Sequence, residues 1–129
     1  MWFENFDNYI FLNKLYLEKP LLIDVRIAKI EILDEGDCVS LLFDMPYYAD
    51  TPPEKWKVNG YNSIIVQMDF FDIRELAIKS VNNTYSGTID ICKTECDLLK
   101  VTIIGTVNMD LVAESGIIQS VEGYCKDIS

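Results

Sequence analysis

The chain has 129 residues, half of them hydrophobic and a quarter charged, a balance that excludes a disordered polymer and fits one folded domain over residues 1–129. Eleven Lys and Arg stand against twenty-one Asp and Glu, a net charge of −10, so the surface repels nucleic acid and anionic membranes and attracts cationic partners. There is no histidine, which excludes Ser–His and Cys–His nucleophile pairs and removes the commonest metal ligand.

The opening "MWFENFDNYIF" carries acids and no basic region ahead of its apolar residues, so it does not read as a secretory signal. No apolar run approaches the roughly 18 residues that a membrane helix requires. A cytoplasmic protein is expected. The first element is a helix capped at Asn5, with Phe6, Tyr9, Ile10, Leu12, Leu15 and Tyr16 recurring at intervals of three and four. "EKP" at 18–20 ends it, because the residue before a proline is steered away from helical geometry. The apolar face, through Phe6, Ile10 and Leu15, is expected to pack on a sheet.

After Pro20 the period becomes two. Ile23, Val25 and Ile27 alternate with acids and bases, then Ile30 and Ile32 do so one residue out of phase, a slip at Ala28–Lys29 that a β-bulge accommodates. "DEGD" at 34–37 reads as a hairpin turn. Val39, Leu41, Phe43 and Met45 share the next inward face, which places Asp44 outward. Further alternations run through Ile64–Phe70, Leu76–Ile78, Ile89–Ile91, Leu99–Ile103, Val107–Leu111 and Ile117–Val121, separated by "NNTYSG", "KTECD", Gly105 and "ESG". Short links leave no room for crossover helices. The pattern predicts a mainly β (α+β) fold: an antiparallel curved or two-layer sheet of about eight strands with one N-terminal helix.

Between the second and third strands lies "MPYYADTPPEKW", residues 45–56. Thr51, Pro52 and Glu54 have the spacing of a capping box, which predicts one stiff helical turn delivering Trp56 as a plug over one end of the sheet. Two adjacent tyrosines at a strand exit cannot both point inward, so one of Tyr47 and Tyr48 is exposed beside Asp50. Exposed aromatics among acids on a rigid turn fit an interface anchor better than a catalytic centre.

Of the four cysteines, Cys92 and Cys96 are closely spaced, whereas Cys38 and Cys125 are isolated; zinc sites show two close pairs. Neither a metal nor a disulfide is expected, and the thiols should be reduced. No phosphate-binding loop, nucleophile elbow or metal-ligand motif appears, so no catalytic residue and no cofactor is assigned.

A tryptophan near the start, a helix ending at "PL", the strands "DVRIAKIEI" and "LLFDMP", then "PPEKW…GYNSIIVQMDFF", "LKVTIIG" and a terminal "GY" occur in that order. In this arrangement the chain resembles the immunity protein 50 family of bacterial polymorphic toxin systems, from Trp2 to Tyr124. The most specific matching residues are Pro53, Trp56, Gly60 and Asn62. The resemblance implies a protein that binds and neutralises a cognate toxin, and it brings no catalytic residues. On that reading the candidate toxin contacts are Tyr47, Tyr48, Asp50 and Glu54, extended by Asp44. The expected mechanism is occlusion of the active site of a toxin, and the acidity fits a cationic nuclease. The alternative is a small-ligand-binding β-barrel whose lumen is lined by the inward Ile, Val and Phe residues.

Overall fold

Residue 6, residues 9–81 and residues 84–127 are described by a computed structural model of the protein. Among these residues, strand alternation from Leu22 onward builds six antiparallel strands: β1 (Leu22–Leu33), β2 (Cys38–Asp44), β3 (Ser63–Ser80), β4 (Ser86–Lys93), β5 (Leu99–Gly105) and β6 (Val107–Tyr124). They close into a barrel in the order β1-β2-β3-β6-β5-β4. The described residues also form two short helices, α1 (Ile10–Leu15) and α2 (Glu54–Val58), and a 3-10 turn at Asp34–Gly36.

Six strands stand where eight were expected, because four of the alternations belong to two strands of 18 residues each. Ile64–Phe70 and Leu76–Ile78 are both β3, and Val107–Leu111 and Ile117–Val121 are both β6. The expected turn "ESG" is strand. Gly116 lies opposite Phe70, and a Cβ there would come within 2.9–3.0 Å of Phe6, Phe70 and Leu99. Glycine is needed for close packing at that point, not for a reversal. Register shifts between Gln67 and Met68 and between Ile73 and Glu75 return the apolar residues of the long pair to the inside. The bulge expected at Ala28–Lys29 is present, since Ile27 pairs with Phe43 but Lys29 with Leu42.

The interior is occupied by side chains. Phe43, Phe70, Leu41, Met68, Ile103 and Met109 are all buried to 1% exposure or less. At about 25 cal/mol per Å² of apolar area removed from water, each such side chain contributes on the order of 1.5–3 kcal/mol. Phe6, Leu12 and Leu15 join this core, with the Phe6 and Phe70 rings 6.0 Å apart.

The N-terminal helix differs from its sequence reading. α1 begins at Ile10, its N-cap Tyr9 makes no side-chain cap bond, and Ile10 is 60% exposed instead of buried. Asn5, the expected cap, and Trp2 lie outside the described residues. Among the described residues, no helix is long and apolar enough to cross a membrane. The four cysteines are free thiols, Cys38 buried and the others exposed, and no cluster of three potential metal ligands occurs among the described residues.

Candidate functional site

The residues that single this sequence out converge on one end of the barrel. Pro53 is the N-cap of α2, and its carbonyl accepts from the amides of Trp56 and Lys57. The single turn delivers Trp56, 9% exposed, into a nest of rings: Phe11 edge-on at 5.9 Å, Tyr48 at 6.3 Å and Tyr61 at 6.5 Å. The expected plug is therefore present. Gly123 on β6 makes room for it, since a Cβ there would sit 2.7 Å from Tyr61 and 2.8 Å from Trp56. Gly60 turns the chain at a φ of +67°, a conformation that side chains disfavour. Asn62 then ties this turn to the end of the chain: its amide donates to Tyr124 O, its Nδ2 to Lys126 O, and its Oδ1 accepts from Lys126 N. Pro53, Trp56, Gly60 and Asn62 thus hold α2 against β6. They are scaffold.

The capping box does not form. Thr51 turns away from α2 and toward α1: its amide donates to Leu15 O at 3.0 Å and its hydroxyl to Lys14 O. The neighbouring Asp50 carboxylate accepts from Leu17 N at 2.9 Å, and Tyr16 donates its hydroxyl to Tyr47 O at 2.7 Å. The physical reason is that α1 is short and ends without a glycine, so its last carbonyls need donors, and the 47–51 loop supplies them. Four hydrogen bonds therefore fix this loop on the exit from α1.

The five expected contact residues separate on this frame. Tyr47 is 46% exposed and packs edge-on against Tyr16 at 5.3 Å. Partial burial pushes its hydroxyl pKa up, and the negative charges of Asp50 and Glu18 add to the effect. Asp50 is exposed although one oxygen is engaged. Glu54 is open to solvent, with only a 3.9 Å approach to Lys57. Tyr48 is half-buried, and its hydroxyl oxygen is enclosed with no hydrogen-bond partner among the described residues.

Asp44 faces outward on β2 as expected but is not open to solvent, being 5% exposed. Tyr124 donates to its Oδ1 at 2.7 Å, while Arg26 at 3.3 Å and Lys126 at 3.1 Å contact its Oδ2. Burial, followed by the hydrogen bond to Asp44, pushes the Tyr124 hydroxyl up to about 12. Both cations are about half exposed, so they lie over the carboxylate as a lid.

Two surface groups at this end were missed in the sequence. Phe11, 41% exposed, leans on Trp56, and the charge of Glu18 acts on the Tyr47 hydroxyl. Phe11 lies off the buried face of α1, and Glu18 sits in the "EKP" stretch that ends the helical pattern. Beside α2 a depression of about 280 Å³ is lined by Lys55, Trp56, Tyr61, Val121, Glu122 and Gly123. Chemically, this end offers aromatic surface and carboxylates, with no nucleophile–base pair among the residues just described.

No curated protein and no solved structure matched this chain significantly. A family model described as immunity protein 50 matches residues 8–124, nearly the whole length, including every scaffold residue of the α2 plug. The chain belongs to the immunity protein 50 family.

Proposed function

We propose that this protein neutralises a cognate toxin by binding it directly, with the patch centred on Tyr47 set over the active site of the toxin. The observation that carries the reading is the state of Tyr47: an aromatic ring nearly half exposed, under the negative charge of Asp50 and Glu18, on backbone held by four hydrogen bonds. A fixed aromatic loses little entropy on binding and makes an efficient anchor. The acids around it, within a chain of net charge −10, steer a cationic partner toward it. That charge favours a nuclease, whose site is built to hold polyanions, as the toxin, and a cytoplasmic setting follows from such a target. The side-chain-filled barrel interior supports this reading over that of a small-ligand carrier.

The test uses the toxin encoded beside the gene of this protein. Tyr47→Ala should weaken binding at least about thirtyfold, roughly 2 kcal/mol, and remove protection of cells. Asp50→Asn keeps an acceptor for Leu17 N, so it should preserve the fold while slowing association and flattening its salt dependence. Folded variants that bind and protect like the parent would place the interface elsewhere.

A further inference from the structure

The barrel is closed in its order of strands, but not along every strand. β2 pairs with β3 only as far as Cys38 opposite Phe71, while β3 runs on to Ser80 with β6 as its neighbour on one side. Among the described residues no strand pairs with the other edge of this extension. From Glu75 opposite Val112 to Ser80 opposite Val107 the register is unbroken, and Val81 N continues it by donating to Thr106 O at 2.9 Å. Alternation then assigns the backbone groups: those of Ala77 and Lys79 turn to β6, and those of Leu76 and Ile78 turn to the free edge.

Side chains at this edge match the open backbone. Leu76 and Ile78 lie opposite Leu111 and Met109, both fully buried, so they belong to the inward face. With no neighbouring strand to cover it, Ile78 is nonetheless 38% exposed. Glu75 and Lys79 lie on the outer face, exposed, and neither has an ion-pair partner among the described residues. Arg74 is already held by Glu114 at 3.3 Å. Asp72, Arg74, Glu75 and Lys79 sum to zero, so this segment is neutral in a chain of net charge −10 and offers a cationic partner no attraction.

An unpaired edge of this kind accepts another strand. Antiparallel pairing of the segment with itself permits few alignments that keep Leu76 and Ile78 hydrogen-bonded. With Ile78 opposite Ile78, or Leu76 opposite Leu76, the charges face neutral residues. With Leu76 opposite Ile78, Ala77 lies on the two-fold axis and Glu75 of each copy faces Lys79 of the other. Two ion pairs and two apolar pairs then form at once, the cross-strand combinations that stabilise a sheet. We propose that the occupant of the β3 edge is a second copy of this chain, paired antiparallel about Ala77. Such an isologous pairing closes on itself and leaves no further edge for growth at this point. It is independent of the Tyr47 patch.

Sedimentation velocity over micromolar to millimolar concentration tests this. The parent should form a species of twice 14.8 kDa. Lys79→Glu places Glu against Glu twice, and Glu75→Lys places Lys against Lys twice, so each alone should raise the dimer dissociation constant about tenfold or more. Mixing the two variants restores both opposite-charge pairs and should give a heterodimer. Hydrogen exchange should show the amides of Leu76 and Ile78 protected in the dimer and fast in the monomer. A parent that stays monomeric throughout, or a dimer indifferent to both reversals, would overturn the proposal. Protection of the same amides only when toxin is added would assign the edge to a strand of the toxin instead.

Discussion

Replacing Asp44 separates a structural carboxylate from a contact carboxylate. In the folded protein this group accepts from Tyr124 at 2.7 Å and faces Arg26 and Lys126 at 3.3 and 3.1 Å, while itself 5% exposed. Asp44→Ala removes a charge-assisted hydrogen bond, an interaction of about 1.5–3 kcal/mol, and leaves the Tyr124 hydroxyl without its acceptor. The two cations are 51% and 46% exposed, so they return to water at modest cost, and the 3–5 kcal/mol penalty of a fully buried broken pair does not apply. A loss of about 2–3 kcal/mol is expected, a fall in Tm of roughly 8 °C for a chain of this size. Asp44→Asn keeps an acceptor for Tyr124 and should recover about 1 kcal/mol of the loss. Urea unfolding gives the stability, and calorimetry against the toxin, at a temperature where the variant is folded, gives the affinity. Affinity should change less than about threefold, since the lid of Arg26, Lys126 and Tyr124 keeps the carboxylate from a partner. Unchanged stability with a large loss of affinity would refute the reasoning and make Asp44 a contact.

Gly123→Ala drives a methyl into Trp56 and Tyr61 and should cost about 1–3 kcal/mol by overpacking, read by urea unfolding with Trp56 fluorescence in a Trp2→Phe background. Tyr48→Phe removes an enclosed hydroxyl that has no partner among the described residues and should stabilise by about 1 kcal/mol; destabilisation would reveal a partner. Tyr124 titrates near 12 when folded against about 10 when unfolded. The folded state therefore holds this proton more tightly, and its stabilisation is intact below pH 10 and lost as the pH rises toward 12, a fall that Tyr124→Phe should lessen in alkaline unfolding. Cys92→Ser with Cys96→Ser should leave the unfolding midpoint within about 0.5 kcal/mol, because both thiols are exposed and free.

Local pattern was enough for the elements that local pattern controls. The period-two alternation from Val39 to Met45 and from Ile64 to Phe70 fixes which side chains face the core, because a slip of one residue would turn the whole set outward. The phase break at Ala28 announces its own bulge, and two prolines ahead of Trp56 announce a stiff turn and a plug. What required the tertiary structure is everything set by residues far apart in sequence. Asp44 alternates outward like any surface acid, and only the arrival of Arg26 and of Tyr124, eighty residues later, buries it. Thr51 has the spacing of a cap, but the unsatisfied carbonyls of α1 compete for its donors and win. "ESG" has turn composition, but Gly116 is there because Phe6, Phe70 and Leu99 meet over it. The same holds for the end of β3, where the alternation of Leu76 and Ile78 reads as a covered strand and only the length of β2 decides that one edge stays open.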